Sequence, residues 1–128
     1  MYHSVIVIDD SVLERFLAEK LMQNCRFAEQ VTSFNSPIDA LQYLTSLKNS
    51  QDKFPEVIFV DIQMPLMNGF EFLDKFMEFP EDARQHSKIV MFSSSQAPED
   101  YSRMKQHPVI ARFLSKPLSE ESFRSLVL

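Results

Sequence analysis

Short apolar runs alternate with amphipathic stretches along this 128-residue chain. Five of the runs are rich in β-branched and aromatic residues and are predicted to be strands: Ser4–Asp9, Glu29–Phe34, Glu56–Val60, Lys88–Phe92 and Val109–Leu114. The third run, EVIFV, has almost no polar alternation, which is typical of a strand covered on both faces. The second run is the least apolar, so we expect it at an edge of the sheet.

A stretch with helical spacing follows each of the predicted strands. The first is predicted from Val12 to about Asn24, with a capping box formed by Ser11 and Glu14 at its start. Its apolar positions at helical spacing are Leu13, Phe16, Leu17 and Leu21. The other predicted helices run from Pro37 through Leu47, around Phe70–Met77 and from Pro98 to about Gln106. A short last helix is predicted after Ser119, with Phe123, Leu126 and Val127 as its apolar residues.

Strict alternation of strands and helices predicts an α/β fold with five βα units. The length fits one domain over residues 1–128, at roughly 150 residues per domain. The expected architecture is a doubly wound, parallel, five-stranded sheet in the order 2-1-3-4-5, with right-handed crossovers and helices on both faces.

The amino-acid composition argues against several kinds of binding site. Thirteen basic and eighteen acidic residues give a net charge of −5 without a basic cluster, so direct nucleic-acid binding is not expected. A single glycine, where average usage would give about nine, excludes the glycine-rich loops that bind nucleotides. A lone Cys25 excludes an internal disulfide and a cysteine-based zinc site. With no signal or membrane segment, we expect a cytoplasmic protein.

Polar residues lie where four of the predicted strands end. Asp9 and Asp10 end the first strand, Asp61 the third, Ser93 the fourth, and Lys116 follows the fifth. The carboxyl ends of parallel strands meet at one edge of the sheet, where ligands bind in this class of fold.

Three clustered carboxylates need a cation or protons, because two unit charges about 4 Å apart repel by roughly 4 kcal/mol at an effective dielectric near 20. Oxygen ligands alone favour a hard ion, Mg²⁺ before Ca²⁺. A carboxylate beside such an ion and facing a lysine can accept a phosphoryl group.

With these motifs, the chain resembles the receiver domain of bacterial two-component response regulators, a family with a flavodoxin-like fold that includes chemotaxis regulators. The resemblance rests on four segments in the family's order: Asp9-Asp10, Asp61 through Gly69 (DIQMPLMNG), Ser93, and Phe113 through Pro117 (FLSKP).

The resemblance implies a role for each matching residue. Asp61 would be the phosphoacceptor. Mg²⁺ would be bound directly by Asp10 and Asp61, through water by Asp9, and by the backbone carbonyl of Gln63. Lys116 would contact a phosphoryl oxygen.

Other matching positions would report or tune the phosphorylated state. Ser93 would move to hydrogen-bond the phosphoryl group, and Phe113 would then change rotamer. Gln63 and Ser95 stand at the two variable positions that modulate dephosphorylation in the family. The Lys116–Pro117 peptide bond would be cis.

By this resemblance the protein is a signalling switch that takes a phosphoryl group from a sensor histidine kinase, a phosphotransfer protein or a small acyl phosphate. It would assist only its own phosphorylation and dephosphorylation, and would not be an enzyme with an independent substrate. The first helix and nearby loops would dock the donor. A downstream protein would read the face formed by the fourth helix, fifth strand and last helix.

Two other functions use related folds. A phosphatase with an aspartyl nucleophile usually places a second acid two residues after the first, where this chain has Gln63. A flavin-binding electron carrier needs a hydroxyl- and glycine-rich loop after the first strand, where this chain has Asp10-Ser11-Val12-Leu13.

Three further residues lie in or beside the predicted third helix. Gly69 is predicted to adopt a positive φ or to stand where no side chain fits. Phe72 and Phe79 lie off the predicted core-facing side, and we take them as a hypothesis for an exposed docking surface.

Overall fold

A computed structural model of the chain describes residues 1–47, 49–93, 102, 106–126 and 128, with only the backbone described at Gln51 and Ser93. These residues form a five-stranded sheet, whose strands are β1 (Tyr2–Ile8), β2 (Ala28–Phe34), β3 (Val57–Asp61), β4 (Lys88–Ser93) and β5 (Ile110–Ser115). Every pair of neighbouring strands is parallel, and the order is β2-β1-β3-β4-β5. The predicted fold class is confirmed.

The described helices are α1 (Val12–Asn24), α2 (Pro37–Ser46), α3 (Gly69–Phe76), α4 (Glu81–Arg84) and α5 (Glu120–Arg124). Two short elements were not predicted: α4 itself and a 3-10 turn at Gln51–Lys53. The helix predicted from Pro98 to about Gln106 lies almost wholly outside the described residues.

The core consists of two apolar layers, one on each face of the sheet. Alternate residues of each strand point to opposite faces. One layer packs sheet residues such as Ile58 and Met91 against α2 and α3. The other packs residues such as Phe59 and Phe92 against α1 and Phe123 of α5. All five residues of β3 are buried, as its unbroken apolar run predicts.

The helix predicted at α1 is present, but most of the apolar residues that predicted it face outward. Leu13 is 80% exposed and Phe16 is 58% exposed, whereas Ala18 and Met22 are fully buried. Leu17 is exposed as well, and Leu21 is partly buried against the core. Small Ala18 is at the helix–sheet contact, so the buried stripe is rotated away from the larger apolar side chains.

The hypothesis that Phe72 and Phe79 form an exposed docking surface is wrong. Phe72 is fully buried, and Phe79 is half-buried with its ring centroid 5.6 Å from that of Phe54. Both phenylalanines belong to the layer shared with α2. The exposed apolar surface among the described helices lies instead largely on α1.

The last helix is shorter than predicted. It ends at Arg124, and Leu126 lies beyond its end while still packing on the core. Of the described helices, none has the length and apolar character needed to cross a bilayer.

Candidate functional site

The acidic turn after β1 is held by hydrogen bonds from three directions. The amide of Asp9 donates to the Phe34 carbonyl of β2, which extends the β1–β2 pairing. The Ser11 amide donates to Asp9 Oδ1 at 3.0 Å, and Arg15 Nη1 donates to the Asp9 carbonyl at 2.7 Å. Asp9 is therefore fixed and 1% exposed, while Asp10 is exposed.

Asp61 is the last residue of β3 and is 7% exposed. The Gln63 amide donates to Asp61 Oδ1 at 3.4 Å. Gly69 packs against the backbone at the end of β3, where an added Cβ would come within 2.6 Å of the Asp61 carbonyl oxygen and 2.8 Å of Met91 Cε. Its φ is not positive, so close approach is the reason for glycine here.

Lys116 enters the site from the end of β5. Its Nζ lies 2.8 Å from Asp9 Oδ2, 3.4 Å from Asp61 Oδ2 and 3.9 Å from Glu14 Oε2. The side chains of Lys116 and Asp9 are almost fully buried. The Lys116–Pro117 peptide bond is cis, as the resemblance implied.

Three carboxylates form a group that fits a divalent cation. One oxygen from each of Asp9, Asp10 and Asp61 lies within 4.8 Å of the others. With oxygen donors alone and with Asp10 open to solvent, the group suits Mg²⁺, which keeps several waters.

Burial raises the pKa of the Asp61 carboxyl from 3.8 to about 6, and the charge of Asp9 acts in the same direction against the opposing effect of Lys116. Burial acts to lower the pKa of Lys116, but the hydrogen bond to Asp9 and the surrounding carboxylates outweigh it and raise that pKa. Lys116 therefore stays charged at neutral pH. Perturbed groups of this kind, gathered at strand ends, are typical of functional sites.

The fold brings together Asp9, Asp10, Asp61 and Lys116, four of the residues singled out from the sequence. The backbone of Ser93 ends β4 opposite Ser115, and its side chain is outside the described residues, as is the whole of Ser95. Phe113 is partly buried against the α2–α3 layer.

Among the described residues at this site, Glu14 was missed. Glu14 was assigned to a capping box with Ser11, yet its carboxylate faces Lys116. The sequence signal that could have revealed it is its place in the first turn of α1, directly after the acidic turn formed by Asp9 and Asp10.

The response regulator receiver domain model matches residues 5–128 of the chain. Among curated proteins, a protein-glutamate methylesterase/protein-glutamine glutaminase of Bdellovibrio bacteriovorus is 35% identical over 91 residues, which are 70% of this chain and 22% of that protein. One of the same name from Burkholderia thailandensis is 40% identical over 73 residues, 57% of this chain and 19% of that protein. The matched part of this chain thus corresponds to about a fifth of the length of these relatives.

Solved structures agree with this match. A two-component response regulator from Cytophaga hutchinsonii has a TM-score of 0.86 at 28% identity, covering 96% of this chain and 92% of that chain. A response regulator receiver protein from Dyadobacter fermentans has a TM-score of 0.80 at 33% identity, covering 91% of this chain and 88% of that chain. With the family model matching nearly all of its length, the chain belongs to the response regulator receiver domain family.

Proposed function

We propose that the chain is a phosphorylation switch whose phosphoacceptor is Asp61. The observation that carries this proposal is the placement of the Lys116 ammonium against Asp9 and Asp61, which are two of the three carboxylates that could hold a cation. Receiver domains are signalling domains, and this arrangement supplies a nucleophile, a cation site and a fixed positive charge.

In the proposed transfer, an Asp61 carboxylate oxygen attacks the phosphorus of a phosphohistidine or an acyl phosphate. A P–O bond to Asp61 forms as the P–N or P–O bond of the donor breaks, and the donor leaves as imidazole or carboxylate. Hydrolysis later returns Asp61 and releases inorganic phosphate. Lys116 can pair with a phosphoryl oxygen because its Nζ is already near Asp61.

Mg²⁺ would be held by Asp10, Asp61 and the Gln63 backbone carbonyl, with Asp9 acting through water. When bound, Mg²⁺ supplies neutralisation of the phosphoryl oxygens. The chain's own contribution is to hold Asp9 and Asp61 in buried positions. The Asp61 carboxylate and the Lys116 ammonium therefore need little rearrangement before phosphoryl transfer.

Ser93 and Phe113 are the proposed switch residues. Ser93 would donate a hydrogen bond to the phosphoryl group, and Phe113 would change rotamer in response. The position of Ser93 at the end of β4, beside Asp61 at the end of β3, supports this role. A downstream protein would then bind the altered surface around β5.

The donor is proposed to be a cytoplasmic histidine kinase or phosphotransfer protein that docks on the first turns of α1. Val12, Leu13 and Phe16 are exposed there, directly after the acidic turn. Leu66, in the loop that follows Asp61, is exposed as well. An apolar surface next to an acidic site suits a protein donor that also carries the phosphoryl group.

The proposal is tested by incubating the protein with acetyl phosphate and Mg²⁺ and measuring its intact mass. We expect one adduct of ~80 Da, the mass of a phosphoryl group replacing a proton at Asp61. Asp61→Asn should abolish it, and Asp74→Asn, at an exposed position of α3, should leave it unchanged. No adduct, or one that persists in Asp61→Asn, would overturn the proposal, and sustained turnover of a generic phosphoester would favour a phosphatase instead.

A further inference from the structure

Glu14, in the first turn of α1, directs a carboxylate oxygen into the phosphoryl site. Its Oε2 atom is buried and lies 3.9 Å from Lys116 Nζ, beyond hydrogen-bonding distance. Among the described residues no group donates a hydrogen bond to this oxygen. A buried carboxylate oxygen without a donor is unfavourable, so the local structure must hold it in this position.

The reason lies in how α1 is capped. The Ser11 side chain accepts a hydrogen bond from the Glu14 amide, as in a capping box. The reciprocal bond, from the Ser11 amide to the Glu14 carboxylate, is replaced because that amide donates to Asp9 Oδ1. The capping box predicted from the sequence is therefore half formed, and the Glu14 carboxylate turns towards Lys116.

Lys116 is consequently surrounded by carboxylates on three sides: Asp9, Asp61 and Glu14. Asp9 and Asp61 belong to the group that fits a cation, but Glu14 does not. A phosphoryl group on Asp61 would have to share the Lys116 ammonium with the negative charge of Glu14. A divalent cation, in contrast, would be attracted by that charge.

We propose that Glu14 is a positioning residue that acts through the negative charge it places beside Lys116, and that this charge sets the balance between the cation and the phosphoryl anion at this site. This inference rests on the proposed phosphoryl site at Asp61. The charge of Glu14 strengthens Mg²⁺ binding and opposes the phosphoryl group. Removing that charge therefore shifts the two affinities in opposite directions, which a loss of local structure would not do.

The test compares wild type with Glu14→Gln. This substitution keeps the shape of the side chain and the hydrogen bond from the residue-14 amide to the Ser11 side chain. Mg²⁺ binding is measured by calorimetry without an anion, and beryllofluoride, a stand-in for the phosphoryl group, is then titrated at saturating Mg²⁺. We expect the Mg²⁺ Kd to rise about threefold and the beryllofluoride Kd to fall about threefold. Phosphoryl uptake from acetyl phosphate should become faster by a similar factor.

Glu19→Gln is the matched control, since it removes the same charge from the same helix and Glu19 forms no ion pair with any described residue. It should change neither Kd, and Glu14→Asp, which keeps the charge, should lie between wild type and Glu14→Gln. The role of Glu14 would be overturned if Glu14→Gln raised both Kd values or changed neither. It would also be overturned if Glu19→Gln changed them as much as Glu14→Gln does. A wild-type protein that forms no acetyl phosphate adduct would instead contradict the proposed function itself.

Discussion

The ammonium of Lys116 donates a 2.8 Å hydrogen bond to the carboxylate of Asp9, although 107 positions separate the two residues in the chain. This bond joins the end of β5 to the end of β1, across β3 and β4. Because the two side chains are nearly buried, each depends on the other to offset its loss of hydration.

Lys116→Met should destabilise the protein when no divalent cation is present. The substitution leaves Asp9 and Asp61 buried without the Lys116 ammonium, and removing one partner of a buried ion pair costs about 3–5 kcal/mol. Urea unfolding with and without Mg²⁺ measures the effect, and Mg²⁺ should restore part of the loss. Lys75→Met, at an exposed position of α3, is the control and should change stability little. An unchanged Lys116→Met midpoint would show that the pair is not buried as described.

Asp61→Asn should stabilise the cation-free protein, and more so at pH 8 than at pH 5. The pKa of Asp61 is raised from 3.8 to about 6 in the folded state, so between these pH values the folded protein binds more protons than the unfolded chain. The wild type therefore gains stability as pH falls through 6, and its ionised Asp61 is unfavourable above it. The advantage of Asp61→Asn should shrink by about 1 kcal/mol between pH 8 and pH 5, measured by urea unfolding. An advantage that grows on acidification would contradict this pKa direction.

Gly69→Ala should destabilise the fold and slow phosphoryl uptake together. The new Cβ would lie 2.6 Å from the Asp61 carbonyl oxygen and 3.0 Å from Ile62 Cα, and these are backbone atoms that cannot turn aside. Overpacking of this kind costs about 1–3 kcal/mol. Thermal unfolding and acetyl phosphate uptake are the measurements, with Asp74→Ala on the exposed side of α3 as control. A Gly69→Ala protein with wild-type stability and uptake would refute the close approach.

The double variant Leu13→Ser, Phe16→Ser should separate donor docking from chemistry. Both side chains are exposed, so stability should stay within about 0.5 kcal/mol of wild type. Uptake from acetyl phosphate should be unchanged, while transfer from a protein donor should fall at least about tenfold. Met22→Ala, on the buried side of the same helix, should instead lose about 2–5 kcal/mol of stability. Equal losses with both donors would place the effect at the site and not at a docking surface.

Much of the fold could be predicted from local patterns. The alternation of strands and helices, the burial of β3 and the grouping of Asp9, Asp10, Asp61 and Lys116 follow from side-chain periodicity and from the rule that parallel strands end at one edge. These properties depend on chain order and on the residue types at strand ends.

The orientation of α1, the burial of Phe72 and the direction of the Glu14 side chain could not be predicted in this way. Leu13 and Phe16 supply more apolar surface than Ala18, yet Ala18 is the buried residue. Ser11 and Glu14 have the sequence spacing of a full capping box, yet the Ser11 amide donates to Asp9.

Amino-acid order was thus enough to specify the doubly wound sheet and the acidic residues at its edge, because hydrophobic periodicity and strand polarity act over a few residues. Packing of the whole chain determines which side of α1 is buried, how far the pKa of Asp61 is raised and which carboxylates lie around Lys116. Those outcomes depend on burial and charge contributed by residues far apart in the chain, and both quantities exist only once the strands lie side by side.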